Sequence, residues 1–321
     1  MIIKNEEQRL PRALDSLRAQ PSITEIVVLD TGSTDRSVEI AKDYGCKVIE
    51  GATVLYMTAD ETPDGLPRID FGACRNRARS HATGQWLFTM DGDEEVEGDV
   101  DLLCQYAIDR GGNCAAIWVT AHRDGAPMER FVQPRMLKND GSIRWKYPIH
   151  NQKVGIIEPV GVSGAAEVLS DYGGEGRLEA KHARSRPMLL KLHQECPEDP
   201  HAAWFLLRMA ESVQDWDEVE RWADVLFDLM DPADLRWAQV AMALITGYTI
   251  QGDDRKTDLA LHRLLKAHPH HPDGRYAVLV AAFRAWVESL DKGANYFGMG
   301  QRCHPFTANV GHVAAMLGVK I

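Results

Sequence analysis

The stretch Trp86-Leu87-Phe88-Thr89-Met90-Asp91-Gly92-Asp93-Glu94-Glu95 decides how this chain is read. Its apolar start has the composition of a short buried strand. Side chains alternate along an extended backbone, so an Asp-x-Asp at the end of a strand turns two carboxylates to one side. Two hard oxygen ligands at a strand tip suit Mg²⁺ or Mn²⁺ carrying a diphosphate. Taken alone, the run also suits a solvated acidic turn. The segments around it weigh against the turn.

Residues 1–100 alternate strand and helix signals. A short apolar strand is expected over 1–4. Residues 10–20 have an amphipathic pattern, with Leu10, Ala13, Leu14 and Leu17 on one face, and Pro21-Ser22 ends it. Residues 23–29, ITEIVVL, read as a buried parallel strand. Asp30-Thr31-Gly32-Ser33-Thr34-Asp35 is a turn. Ser33 or Thr34 caps a helix over 37–44, which Gly45 stops. A strand over 46–49, a helix over 73–82 and a strand over 85–90 follow. This alternation predicts βαβ units and a mostly parallel sheet. Open sheets of that kind bind ligands beyond the C-terminal ends of their strands. The loops 30–35 and 91–95 can therefore face one crevice. The interval 51–69, with Pro63, Gly65 and Pro67, reads as a long loop at the same rim, either a lid or a surface excursion.

A helix is expected over 98–110. Strands over 114–121, 130–138 and 143–149 follow, with Asn139-Asp140-Gly141 as a tight hairpin. Residues 153–161 and 165–169 add strand-like pieces, so this half reads as mixed or antiparallel. After about Gly176 helical periodicity takes over. Helices are expected over 178–196 (interrupted at Pro187), 200–213, 216–229, 232–251, 255–268 and 272–290. The hinges Pro197-Glu198-Asp199-Pro200, Met230-Asp231-Pro232 and His268-Pro269-His270-His271-Pro272 separate them. Pro200, Pro232 and Pro272 recur 32 and 40 residues apart, near the helical-repeat period of about 34. Trp204 and Trp237 follow the first two hinges at matching places. A small, degenerate tetratricopeptide-like array fits, with a generic helical bundle as the alternative. The domains expected are 1–176, α/β, and 177–321, all-α.

A length of 321 residues leaves room for two domains, and 45% hydrophobic residues support a full core. No stretch reaches the roughly 18 to 20 uninterrupted apolar residues of a membrane span. The start, Met1-Ile2-Ile3-Lys4-Asn5-Glu6-Glu7, has no signal-peptide pattern, so a cytoplasmic location is expected. The first strand begins at Met1 itself, which leaves open a start further upstream. Six cysteines without a CxxC argue against a zinc ribbon or a disulfide framework and for buried free thiols. A net charge of −11 disfavours a broad nucleic-acid-binding face, without excluding a local basic groove.

Four motifs then occur in register: Met1-Ile2-Ile3-Lys4-Asn5-Glu6-Glu7, Val28-Leu29-Asp30-Thr31-Gly32-Ser33-Thr34-Asp35, Asp70-Phe71-Gly72-Ala73-Cys74-Arg75-Asn76 and Met90-Asp91-Gly92-Asp93-Glu94. Together they resemble the family 2 glycosyltransferases of GT-A fold. The likeness is to the bacterial and phage branch with a tetratricopeptide-like tail, which includes enzymes that glycosylate bacteriocin peptides. It is strong over 1–100, moderate to about 185 and weak beyond. The resemblance implies a GT-A fold with a mixed, mostly parallel central sheet, a nucleotide-sugar donor, usually a UDP-sugar, and Mn²⁺ or Mg²⁺. Carried over by position, Asp30 would hydrogen-bond the uracil. Asp91 would hold the ribose and the metal side of the diphosphate, and Asp93 would be the principal metal ligand. Arg75 would lie near the base or pyrophosphate, and Ile3 and Gly92 count with the donor-binding set. The plainer alternatives are a turn cap for Asp30 and a surface helix residue for Arg75.

The chain departs from the family at two further places. Family members often carry His-Glu where this chain has His150-Asn151, and His before Tyr-Gly where it has Asp171-Tyr172-Gly173. The third metal ligand and the catalytic base are therefore open. His150 is a candidate for either role, and Asp171, Glu94 and Glu95 are candidates for the base. Trp145 and Tyr147 could line a sugar or acceptor pocket, or pack as core aromatics. Family 2 enzymes invert: the acceptor attacks the anomeric carbon opposite the leaving nucleoside diphosphate. This needs charge stabilisation on the diphosphate and a base for the acceptor proton. A peptide, a glycan or a modified nucleobase could be the acceptor. The helices would bind it, or another subunit in a homo-oligomer. Two other classes compete. A scaffold with a degenerate catalytic domain is favoured by loss of the His-Glu pair and disfavoured by the intact Asp30 and Asp91-x-Asp93. A nucleotidyltransferase is disfavoured because Asn5-Glu6-Glu7 stands where a Gly-rich basic loop is usual.

Overall fold

A computed structural model describes residues 1–123, 126–157, 161–171 and 177–271. The helix expected over 272–290 lies outside the described residues. The chain divides into two units, Met1–Met188 and Leu189–Ile321.

The first unit opens with β1 (Ile2–Ile3), α1 (Leu10–Arg18), β2 (Val27–Asp30), α2 (Ser37–Asp43) and β3 (Lys47–Ile49). The three strands are parallel, in the order β1-β2-β3, with Ile3 opposite Asp30 and Leu29 opposite Ile49. β4 (Leu55–Met57), a single 3₁₀ turn at Ala59–Glu61 and β5 (Arg68–Ile69) follow, with β4 and β5 paired antiparallel. The interval expected to be a loop thus contains its own two-stranded piece. Its polar composition hid this, because one of its buried anchors is Arg68. That guanidinium donates to Asp64 at 2.7 Å, to the Leu66 carbonyl at 2.6 Å and to the Arg184 carbonyl at 3.3 Å.

Next come α3 (Phe71–Ser80), β6 (Trp86–Phe88), β7 (Glu94–Gly98), α4 (Val100–Asp109), β8 (Cys114–Arg123), β9 (Ala126–Lys138), β10 (Arg144–Lys146), β11 (Gln152–Val154) and β12 (Gly161–Asp171). Five strands form one mixed sheet in the order β6-β9-β8-β12-β7, in which β8–β12 is the one parallel pairing among the described residues. β10 and β11 form a separate antiparallel pair. The architecture is mixed α/β. β7 was not foreseen: the acidic run continues into a strand, and the helix begins later, capped by Asp99, which accepts from the Asp101 and Leu102 amides. Alternation explains it, since Glu94 and Val96 face inward while Glu97 is exposed.

Helix α1 ties the two sheets together. Leu10 and Leu14 pack with Ile3, Val28 and Ala41. Ala13 and Leu17 pack with Val96, Leu103, Ile117, Val119 and Val168. Recurrence at i, i+3, i+4 and i+7 makes one stripe wide enough for both cores. The Gln20 amide then brackets the turn after β7, donating to the Gly98 carbonyl and accepting from the Val100 amide, both at 3.1 Å.

α5 (Arg177–Glu195) spans the boundary between the units and runs through Pro187 without the interruption expected there. The second unit continues with α6 (Pro200–Ser212), α7 (Trp216–Leu229), α8 (Leu235–Gln251) and α9 (Asp254–Ala267). α6 packs on α7, α7 on α8 and α8 on α9. Each of these four helices starts on an aspartate whose carboxylate accepts a first-turn amide: Asp199, Asp215, Asp234 and Asp253. The cap at Asp234 is why α8 begins at Leu235 rather than at Pro232. Trp237 is buried against Phe227, with ring centroids 4.8 Å apart, whereas Trp204 is half-buried beside Arg208. Among the described residues, no helix is long and apolar enough to cross a membrane.

Candidate active site

The end of β1 is fastened to the end of β2. The Ile3 carbonyl accepts from the Thr31 amide at 3.0 Å and from its hydroxyl at 2.9 Å. Asn5 takes a left-handed φ of 56°, which Asn tolerates best among residues with a side chain. Its Oδ1 accepts from the Thr34 amide at 2.8 Å, and its own amide donates to Ser33 at 3.0 Å. The Glu6 amide donates to Ser37 at 2.7 Å and the Glu7 amide to Asp35 at 3.1 Å. Asp30 is 6% exposed and accepts from the Gly32 and Ser33 amides, each at 3.0 Å, so it serves at least as the cap of its turn.

The loop after β6 closes on this pair of strand ends. Gly92 is buried, and a Cβ there would meet Ile3 Cγ2 at 3.0 Å and Glu6 Cγ at 3.3 Å. Three strand-end loops, widely separated in sequence, therefore meet at Ile3, Asp30 and Gly92.

Helix α3 brings the first cation. Asp70 caps it, accepting from the Ala73 amide at 2.7 Å. One turn in, Arg75 places Nη2 on both Asp91 oxygens, 2.9 and 3.2 Å away, and Nη1 donates to Asn151 Oδ1. Asn76 brackets the Trp145 backbone, donating to its carbonyl at 2.8 Å and accepting from its amide at 2.9 Å. Between Trp145 and Asn151 the chain is strained. Tyr147 and His150 both have positive φ, 73° and 48°, which is why β10 stops at Lys146 and does not reach 149. Asn151 Nδ2 donates back to the Tyr147 carbonyl, and the Phe71 amide donates to the Pro148 carbonyl at 2.9 Å. Gly72 is required here, because a Cβ would collide with the Tyr147 carbonyl.

Below the loop lies a second ion pair. Arg135 of β9 donates to Glu94 at 2.6 Å, and both side chains are under 10% exposed. The other Glu94 oxygen accepts from the Asp91 amide at 2.9 Å, and Arg135 Nη1 reaches the Thr89 carbonyl at 3.2 Å. Glu94 therefore braces the loop from inside. The candidate base Glu94 is thus a buried carboxylate paired with Arg135. Glu95 points elsewhere, to Arg12 at 3.3 Å.

The charges follow from this packing. Burial opposes ionisation of Asp91, but Arg75 and Arg135 outweigh it and hold its carboxyl at about 2. Its side chain is still 40% exposed. Asp91 is thus both paired with Arg75 and open to solvent. Burial pushes the Glu94 carboxyl up, against the pull of Arg135. Burial and the charges of Arg135 and Arg75 push the Lys153 ammonium down to about 8, with Asp91 opposing.

The remaining candidates are placed as follows. Asp93 is half-buried between Gly92 and Glu94. Asp171 ends β12. Ser170 pairs with Glu94 across the β12–β7 ladder, so the next position on β12 lies at the Asp93 end of β7. His150 sits in the strained loop beside Asn151. Among the described residues, no three His, Cys, Asp or Glu side chains gather to hold a metal ion. Of the expected trio of Asp91, Asp93 and His150, Asp91 is engaged by Arg75. Carboxylates at one strand tip still fit an ion shared with phosphate oxygens, the usual setting for Mg²⁺. Two site residues were not singled out in the sequence: Arg135 and Lys153. A signal existed for Arg135, a charge inside an otherwise strand-like run, because buried arginine is rare without a partner. The described cysteines, Cys46, Cys74, Cys104, Cys114 and Cys196, are free thiols.

Residues 1–57 match the family model described as glycosyl transferase family 2. A TPR repeat-containing protein of Synechococcus elongatus is 30% identical over 150 residues, which are 47% of this chain and 33% of that protein. The 4,4'-diaponeurosporenoate glycosyltransferase of Staphylococcus haemolyticus is 49% identical over 96 residues, 30% of this chain and 24% of that enzyme. Among solved structures, S. aureus TarS aligns with 81% of this chain and 53% of its own, at 14% identity and a TM-score of 0.44. This chain spans a third or less of the length of these curated relatives.

Proposed function

We propose that this chain, whose N-terminal segment is that of a family 2 glycosyltransferase, moves a glycosyl group from a nucleotide-sugar to an acceptor with inversion. A UDP-sugar is the donor in this reading, and a peptide, glycan or nucleobase the acceptor. The observation that carries it is the meeting of the β1, β2 and β6 end loops beside the Arg75–Asp91 pair. Strand-end crevices of this kind hold nucleotides in open α/β sheets.

Ile3 and Asp30 form the seat for the base, with Asp30 fixed by its own turn. Asp93, with Asp91, would hold Mn²⁺ or Mg²⁺ together with the donor's phosphate oxygens. When bound, that ion offsets the charge that grows on the departing diphosphate. Arg75 keeps Asp91 ionised and oriented. Asp171 takes the acceptor proton in this reading, which the pairing of its neighbour Ser170 with Glu94 supports. As the acceptor lone pair forms the new bond to the anomeric carbon, the bond to the diphosphate oxygen breaks and its electron pair leaves with the nucleotide. His150 is assigned to shaping the strained loop around the acceptor. Residues 1–176 perform the transfer and 177–321 recognise the acceptor or a second copy of the chain, in the cytoplasm.

A panel of UDP- and GDP-sugars tests the reading through release of the free nucleotide. One donor is expected to be turned over by the wild type. Turnover is expected to be lost in Asp93→Ala, and lost in Asp171→Asn with UDP binding retained. Binding of UDP without turnover of any donor would favour a nucleotide-sugar-binding scaffold instead.

A further inference from the structure

We propose that the Lys153 ammonium receives the diphosphate of the donor, an assignment that rests on the nucleotide-sugar reading above. Three cations stand about the loop after β6: Arg75 from α3, Arg135 from β9, and Lys153 from β11, two residues beyond the Asn151 that accepts from Arg75. Two of them are matched, Arg75 to Asp91 at 2.9 Å and Arg135 to Glu94 at 2.6 Å. Among the described residues, no carboxylate lies within ion-pair distance of Lys153. Its neighbour is an aromatic face, with Nζ 5.7 Å from the Trp145 ring centroid.

That placement is rigid. Lys153 and Trp145 are directly opposed across the β10–β11 ladder. Trp145 is 8% exposed and packs with Cys114, Leu137 and Ile143. Its backbone is held from both sides by Asn76, the residue next to Arg75. A half-buried ammonium near two guanidiniums, neither of which can neutralise it, is an unfavourable arrangement until an anion arrives. A diphosphate supplies several charged oxygens at once. A compact lysine ammonium binds them as a point charge, without the planar geometry that arginine demands. Of the three cations, Lys153 is thus the one left to a ligand, and the ligand class it fits is a nucleoside diphosphate rather than a neutral nucleoside.

Calorimetric titration of UDP, GDP and uridine into the wild type, Lys153→Met and Lys153→Arg, in buffer containing Mn²⁺, tests this. Lys153→Met is expected to weaken UDP about 10- to 100-fold, the range of a charge-assisted hydrogen bond. Uridine binding should be unchanged, and Lys153→Arg should recover most of the loss. Equal UDP affinity in wild type and Lys153→Met would overturn the Lys153 assignment alone. Parallel loss of UDP and uridine in both variants would overturn it too, by marking Lys153 as structural. A wild type that binds neither UDP nor GDP would overturn this assignment together with the nucleotide-sugar reading.

Discussion

The guanidinium of Arg75 grips both carboxylate oxygens of Asp91, at 2.9 and 3.2 Å, while its other terminal nitrogen donates to Asn151. Helix α3, the loop after β6 and the strained β10–β11 loop are joined at that one side chain. Arg75→Ala is expected to leave a carboxylate without its main counter-charge. Because Asp91 is 40% exposed, the stability cost should be only about 1 kcal/mol. Its pH dependence is diagnostic. A carboxyl held at about 2, below its ordinary 3.8, adds stability above 3.8 that is lost as pH falls through about 2. Urea unfolding should show the wild-type advantage over Arg75→Ala at neutral pH and its disappearance over that acid range.

Asn151 should matter for function more than for folding. Its carbonyl oxygen takes Arg75 and its amide nitrogen holds the Tyr147 carbonyl. Asn151→Leu removes both contacts. The expected result is a roughly tenfold or greater drop in kcat/KM, of the order of one lost charge-assisted hydrogen bond, with a much smaller change in melting temperature. Steady-state kinetics beside a thermal melt would check this.

The buried pair Arg135–Glu94 should behave in the opposite way. Arg135→Met strands a carboxylate that is about 5% exposed, and such losses cost about 3–5 kcal/mol. The double variant Arg135→Met/Glu94→Gln should recover part of that cost. A urea-denaturation cycle of the four proteins measures the coupling.

The charge of Lys153 sets a further expectation. Its ammonium is pushed down to about 8 by burial and by Arg135 and Arg75, with Asp91 and the Cys114 thiol the other titratable groups facing it. The protonated form binds an anion, so UDP affinity should hold below pH 8 and decline as pH rises beyond it. In Lys153→Arg the decline should vanish. Titrations between pH 7 and pH 9 would read it.

Much of this was legible in the residues. The ITEIVVL strand, the α1 stripe and the Asp-x-Asp tip carry their periodicity openly, and the structure gives β2, α1 and β6 there. What stayed hidden was held by pairing rather than by pattern. β7 looked like an acidic loop because the partner that lets Glu94 be buried, Arg135, lies 41 residues away. The β4–β5 piece looked like a polar loop because one of its buried anchors is an arginine. The pairing of Asn151 with Arg75 was invisible for the same reason: the two lie 76 residues apart, and only the folded chain brings them together.

Thermal denaturation with nucleoside diphosphates tests the central claim most directly. UDP with Mn²⁺ should raise the melting temperature of the wild type, and Asp93→Ala should abolish the shift while melting near the unliganded wild type. No shift with UDP, GDP or any other nucleoside diphosphate would contradict a donor site at Asp91 and Asp93.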